Sequence, residues 1–365
     1  MSRERGNRRR NTTVSPRQRR SQAKRANARR MRQMRKRKIR NTLILMGCLI
    51  LLLSAGLGAI YLLKGGQLSR ETLSYQAARE FSGISLNDHQ KAGSLAADLC
   101  VTEEDVTLES ADLLPQQQGA LFDLDNQKVL FGQGLYDKVY PASITKIMTG
   151  MLALQYGNMD EIVTISQENV TLESGSQVCG FQAGDKVTLD ELVHGLLVYS
   201  GNDAASAIAE HVGGSEAAFV EQMNAYAKKL GMTGTHFSNP HGLQDEEHYT
   251  TPYDIYLMLN EALTYEEFTE ITELSSYTIT YERADGTEVA TPLESTDHYL
   301  TGESTPPKDV TVLGGKTGTT SLAGNCLALI TQNAYGKPFI SIVMGADTKE
   351  TLYQQMNSLL ENINS

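Results

Sequence analysis

The chain has 365 residues with 33 Lys/Arg, 43 Asp/Glu and four cysteines, for a formal net charge of −10. That length can bury a substantial core, while four cysteines are too few for a disulfide scaffold. None of them stands in a metal-type spacing, and no His-Glu-x-x-His string occurs.

The charge is split along the chain. Residues 1–40 carry 18 Lys/Arg against a single acid, Glu4, and the remainder carries 15 basic and 42 acidic residues. The boundary between the two parts is Thr42 to Leu63, 22 uncharged and mostly aliphatic residues closed by Lys64. At 1.5 Å per residue a helix of that length crosses a hydrocarbon layer of roughly 30 Å. The basic flank then places residues 1–41 in the cytoplasm and everything after Lys64 outside the cell membrane. The rival reading is a cleaved signal peptide, with small residues at Ser54, Ala55, Gly56 and Ala59. Its apolar core is usually about 7–15 residues, shorter than this run, so an uncleaved, single-pass anchor is expected. The tail has no aromatic residue to stack on bases, and it is read as a topology signal lying against anionic lipid rather than as a nucleic-acid binder.

Residues 64–97 are polar and aperiodic, with one helix near Ser69–Glu80, and are expected to be a stalk that merges into a first strand near Cys100. Gly119–Asp123 and Lys128–Phe131 read as a hairpin turning at Asp125-Asn126. A helix opens near Ser143. Thr188-Leu189-Asp190-Glu191 has the form of a capping box, and Leu189, Leu192, Val193, Leu196 and Leu197 behind it keep the spacing of one buried helix face. Ser215 starts a further helix with Phe219, Met223, Tyr226 and Leu230 inside and Gly231 as its stop. Thr251-Pro252 begins another. After Ser275 the pattern turns to strands: Tyr277–Tyr281, Glu288–Ala290, Val310–Thr317, Cys326–Thr331 and Phe339–Met344, with a closing helix over Asp347–Asn362. Strands at both ends and helices between predict an α+β domain, an antiparallel sheet packed against a helical subdomain. The cleft between two such lobes is the default place for a site. His236, His241 and His248 cluster in sequence and are read as surface or capping residues rather than ligands.

Three short strings carry the chemistry. In Ser143-Ile144-Thr145-Lys146 the serine and lysine are three apart in a helix, hence on one face. A serine needs a base to become a nucleophile, and a lysine is a base only if burial or a nearby cation lowers its pKa. Taken alone, the string could equally be an ordinary helix start with a solvated lysine. In Ser200-Gly201-Asn202, between two helices, Gly201 permits a sharp turn and the polar flanks can relay a proton or simply cap. In Lys316-Thr317-Gly318, preceded by Gly314-Gly315, the lysine with Thr317 and Thr319 suits a carboxylate. The glycines would let a ligand lie close to the strand. The alternative is an edge strand protected by a charge.

Serine-x-x-lysine, a Ser-x-Asn element and Lys-Thr-Gly together are the signature of penicillin-binding proteins and class A β-lactamases. The chain resembles the low-molecular-weight penicillin-binding proteins that are serine-type D-alanyl-D-alanine carboxypeptidases. The likeness rests on Pro141–Thr149, Ser200–Ala205, Phe237–Leu243 and Gly315–Gly318 with Ala323-Gly324, and it covers roughly Gln118 to Ala346. It implies a β-lactamase/transpeptidase-like fold and a catalytic domain over 98–365. Ser143 would be the nucleophile toward a peptidoglycan stem peptide and Lys146 its base, with Ser200 and Asn202 assisting. Lys316, Thr317, Gly318 and Thr319 would form the carboxylate side, and the Ser143 and Thr319 amides the oxyanion hole. β-Lactams would act as inhibitors, and no cofactor or metal is implied. Where the family often has Thr-Asn before the Lys-Thr-Gly strand, this chain has Ser295-Thr296-Asp297-His298, so that loop is not expected to serve the site. Cys326 is read as packing. A class A β-lactamase is disfavoured because no Glu-x-x-Leu-Asn string lies between Ser200 and Lys316. A non-catalytic β-lactam sensor would couple to a cytoplasmic signalling domain, for which residues 1–40 are too short and too basic; a wall-binding protein would have no need to retain Ser143, Lys146 and Lys316 together, and a Ser-His-Asp hydrolase is disfavoured by the lack of Gly-x-Ser-x-Gly.

Overall fold

The computed structural model describes residues 99–364. The expected tail over 1–41, membrane span over 42–63 and stalk over 64–97 lie outside the described residues. Among those described, no helix is long and apolar enough to cross a membrane.

The sheet is built from the two ends of the described chain. Strands β1 (Gln118–Asp123) and β2 (Lys128–Gln133) form the expected hairpin. Three later strands complete it: β7 (Thr311–Thr320), β8 (Gly324–Gln332) and β9 (Pro338–Ala346). All neighbours are antiparallel in the order β2-β1-β9-β8-β7, which leaves β7 at an edge. Strands β8 and β9 read as near-continuous apolar runs because both faces of the sheet are covered. Alternation sends Leu327, Leu329, Phe339 and Val343 toward helix α8 (Lys349–Leu360), and Ala328, Ile330, Ile340 and Ile342 toward the helical layer.

That layer centres on α1 (Lys146–Tyr156), in which every residue from Lys146 to Ala153 is buried. A helix that is apolar on all sides belongs inside a protein. Around it pack α2 (Leu189–Leu197), α3 (Asn202–Gly213), α4 (Glu216–Leu230), α5 (Pro252–Ala262) and α6 (Glu266–Thr272). A second, four-stranded sheet lies at the far side in the order β3-β4-β5-β6. Its short strands β3 (Ile162–Thr164) and β4 (Lys186–Thr188) carry too little pattern to be seen in the sequence. Strand β5 is Ser276–Glu282, and β6 runs over Glu288–Glu294, longer than expected. It passes through Pro292, which the edge position of β6 permits. The architecture is α+β, as expected.

Three local expectations are corrected. No strand forms near Cys100; instead its N–H donates to the Tyr256 hydroxyl at 2.8 Å and its carbonyl accepts from the Tyr253 hydroxyl at 2.9 Å, tying this segment to α5. The capping box is half made. Thr188 Oγ1 accepts from the Glu191 N–H, but the Glu191 carboxylate turns outward to the N–H and hydroxyl of Thr280 on β5. At the junction of α2 and α3 the left-handed residue is Ser200, at φ 69°, whereas Gly201 sits at φ −61°. The glycine is needed for space instead, since a Cβ there would overlap the Cys179 sulfur.

Candidate active site

A single helical turn of 3-10 type, Ala142–Thr145, runs directly into α1. Ser143 therefore stands on the turn and Lys146 at the first position of the buried helix, with the serine hydroxyl 2.8 Å from Lys146 Nζ. Two further groups meet the amine: Asn202 Oδ1 and the His241 carbonyl oxygen, each at 2.6 Å. Both of these can only accept. The serine hydroxyl can donate or accept. An ammonium here can donate to all three; an uncharged amine can donate to Asn202 and His241 and turn its lone pair to the Ser143 hydroxyl. Burial, followed by the positive charge of Lys316, pushes Lys146 well below the usual lysine value. The like-charge effect expected between the two lysines is thus present.

The first position of α3 supplies Asn202, and Ser200 lies in the turn before it. Asp203 accepts N–H groups from Cys179, Gly180, Phe181 and Ala204, at 2.8 to 3.2 Å, and so pins the 177–181 segment beside the cleft. The opposite wall is the end of β7. Gly318 lies so close to the nucleophile turn that a Cβ would come within 3.0 Å of both the Ser143 nitrogen and the Pro141 carbonyl. Glycines 314 and 315 do not open the strand to a ligand, contrary to expectation. A side chain at Gly314 would strike the Thr272 carbonyl at the end of α6, and one at Gly315 would strike the backbone of β8.

Between these walls is a cleft of about 280 Å³ lined by Ser143, Ser200, Asn202, Thr317, Gly318 and Thr319. All eight residues singled out from the sequence belong to this place, but the two lysines lie beneath its surface, 0% and 1% exposed. Lys316 Nζ donates to the Thr317 carbonyl at 3.1 Å. Burial lowers it to about 7, against the opposing pull of Asp297.

Sequence reasoning missed several contributors. The 295–298 loop does reach the site: Thr296 lines the cleft and its hydroxyl meets that of Thr317 at 2.6 Å. His241 and His248 are buried rather than superficial. His248 Nε2 lies 2.7 Å from Thr145 Oγ1, and its Nδ1 accepts the Ser238 N–H at 3.0 Å. Thr149 Oγ1 donates to the Pro240 carbonyl at 2.5 Å. The 238–243 segment is thereby fastened to α1, which places the His241 carbonyl on Lys146. The visible signal was the string Pro240-His241-Gly242, whose glycine sits at φ 87° against the Ala142 carbonyl. Cys100, Cys179 and Cys326 are free and buried; burial pushes the Cys326 thiol up to about 12, which suits packing and not nucleophilic attack. Among the described residues no cluster of three His, Cys, Asp or Glu is placed to hold a metal ion.

Curated proteins and solved structures resemble this chain. The D-alanyl-D-alanine carboxypeptidase DacF of Bacillus subtilis is 34% identical over 252 residues, covering 67% of this chain and 61% of the relative. For DacC of Escherichia coli the values are 34% over 251 residues, 66% and 59%. The chain thus spans about three fifths of the length of these curated relatives. Among solved structures, a variant of the Streptomyces K15 DD-transpeptidase superposes with a TM-score of 0.62 at 25% identity, covering 67% of this chain and 95% of that one. A putative penicillin-binding protein homologue from Mycobacterium tuberculosis gives 0.61 at 26%, covering 72% and 95%. The family profile described as D-alanyl-D-alanine carboxypeptidase matches residues 106–348, which include Ser143, Lys146, Ser200, Asn202 and Lys316 to Thr319, and the chain belongs to that family.

Proposed function

We propose that the protein is a serine-type D-alanyl-D-alanine carboxypeptidase acting on peptidoglycan stem peptides. The observation that carries this reading is the buried, acceptor-surrounded Lys146 amine at 2.8 Å from the Ser143 hydroxyl. Lys146 takes the Ser143 proton as the serine oxygen attacks the carbonyl of the penultimate D-alanine. The oxyanion is held by the Ser143 and Thr319 amides. Collapse of the tetrahedral species breaks the peptide bond, and the proton passes to the departing D-alanine amine with help from Ser200 and Asn202. Water then hydrolyses the ester on Ser143. Lys316, Thr317 and Thr319, on the β7 wall, receive the terminal carboxylate. A β-lactam presents a strained amide and a carboxylate in similar relation, and would acylate Ser143. The apolar run over 42–63 and its basic flank support a single-pass anchor that holds this domain outside the cytoplasm.

The test uses the full chain purified in detergent, a stem-peptide mimic ending in D-Ala-D-Ala, and a fluorescent penicillin. D-Alanine release and covalent labelling are expected, and both are lost in Ser143→Ala. An unreactive wild type sinks the enzymatic reading, and labelling that survives Ser143→Ala sinks the nucleophile. Rapid turnover of the penicillin would instead favour a β-lactamase. Added amine acceptors that divert the acyl group would reveal transpeptidation.

A further inference from the structure

The connection after β6 is stitched to the active-site strand by the Thr296–Thr317 hydroxyl contact, one residue from Lys316. Asp297 comes next and caps the short helix α7 (His298–Thr301). It is 4% exposed. Its Oδ1 accepts the Tyr299 N–H at 2.9 Å and the Tyr353 hydroxyl at 3.3 Å. Its Oδ2 is buried and has no hydrogen-bond partner.

Asparagine would cap this helix as well as aspartate does, without the cost of burying a charge. Capping therefore does not account for a carboxylate here. A neighbouring cation does. Lys316 is buried, it donates to a backbone carbonyl, and Asp297 is the acidic side chain whose field acts on it; burial pushes the Asp297 carboxyl up, and its bonds to Tyr299 and Tyr353 with the charge of Lys316 oppose that. The two do not form a contact ion pair, so Asp297 itself occupies none of the ammonium donors, one of which goes to the Thr317 carbonyl. The other titratable groups around the pair are His298 and Tyr299 of α7, Lys349 and Tyr353 of α8, and Lys146 of α1. Of these His298 stacks on Tyr353, with ring centres 4.8 Å apart, and lies 3.5 Å from Glu303.

We infer that Asp297 is a positioning residue of this site, a buried counter-charge that sustains the Lys316 ammonium while taking none of the N–H groups that the Thr317 carbonyl leaves for the carboxylate of a ligand. The inference rests on the functional reading above for the ligand's chemistry. It explains how a lysine buried this deeply can serve as an anion anchor at all, since burial alone favours the neutral amine.

The experiment follows acylation of the full chain by a fluorescent penicillin from pH 5 to 10, in the wild type and in Asp297→Asn. The rate should rise as Lys146 loses its proton and fall as Lys316 loses its own. Removing the carboxylate charge should bring the falling limb about one pH unit lower. Acylation is then about tenfold slower above both limbs and within about twofold of the wild type below them. An unchanged falling limb, or an equal loss at every pH, overturns the inference, because a purely structural role predicts one or the other. Should Asp297→Asn fail to fold, Asp297→Ser, which also caps a helix, is carried through the same pH series and read by the same two outcomes. With the penicillin carboxylate esterified the falling limb should disappear, and its persistence would show that the Lys316 charge does not matter. Failure to release D-alanine by a wild type that still takes penicillin would count against the proposed substrate alone.

Discussion

Gly242→Ala is the substitution that most directly tests whether the 238–243 segment builds the base. Gly242 sits at φ 87°, where an alanine costs about 1–2 kcal/mol. The added Cβ would overlap the Ala142 carbonyl and lie 3.0 Å from the Ser143 nitrogen. Neither neighbour can yield, since Pro141, Ala142 and Ile144 are buried under the end of β7. The segment must therefore retreat by roughly 1 Å to reach van der Waals distance. That retreat takes the His241 carbonyl out of its 2.6 Å bond to Lys146 Nζ. A misplacement of this size costs on the order of 100-fold in rate, and strain plus the lost bond add up to about 2–3 kcal/mol of stability. Acylation by fluorescent penicillin should fall by about two orders of magnitude, while the melting temperature drops by about 4–12 °C. A variant that melts several degrees lower yet acylates within threefold of the wild type would refute the argument, because it would show that the His241 carbonyl is dispensable to the amine.

The remaining predictions concern stability and pH. Burial lowers His241 to about 3 and His248 to about 4, so both stay neutral in the folded state. As pH falls below about 6.5 the unfolded chain binds protons that the native state refuses, and unfolding free energy should drop by about 1.4 kcal/mol per pH unit for each histidine until pH 4. In urea titrations between pH 7 and 5, His248→Gln should remove about one proton from that slope; an unaltered slope would contradict a neutral, buried His248. Thr188→Ala should cost about 1 kcal/mol, as a lost N-cap does, whereas Glu191→Ala should cost under about 0.5 kcal/mol because its bonds to Thr280 are exposed. Equal costs in chemical denaturation would mean that the reciprocal half of the capping box is formed after all.

What the sequence revealed and what it hid have different physical origins. The helix starting at Thr251-Pro252, the buried stripe from Leu189 to Leu197 and the β1–β2 hairpin are set by contacts between near neighbours, so periodicity and capping expose them. Ser143 and Lys146 share a helical turn, and for that reason their proximity is legible in the sequence. The His241 carbonyl was not, because a backbone oxygen has no side-chain signature and reaches Lys146 only through a fold 95 residues away. Thr296 was dismissed for a similar reason: its value lies in one hydroxyl contact to Thr317 across the β6–β7 connection. The strain at Ser200 was assigned to the wrong residue, since glycine is the usual occupant of left-handed geometry. Non-glycine residues in that region gather at sites that the surrounding structure over-determines. Ser200, which lines this cleft, and Ala142, which precedes Ser143, are at φ 69° and 48°.

On the proposed reading, two buried lysines must hold opposite protonation states. Burial pushes both toward neutrality, which serves a base and disarms an anion anchor. What separates them is the placing of the acids. Near Lys146 the carboxylate is Asp203, whose charge is already spread over four backbone N–H groups. Near Lys316 it is Asp297, with one oxygen unpartnered. On the proposed reading, a difference in environment of this kind lets one site run acid and base chemistry side by side. It also couples the two ends of the proposed reaction. A ligand carboxylate arriving at Lys316 holds that ammonium charged, and repulsion between like charges then disfavours a proton on Lys146. On the proposed reading, binding the correct end of the substrate makes the base ready, and a ligand without a free carboxylate forfeits both the anchor and part of the activation.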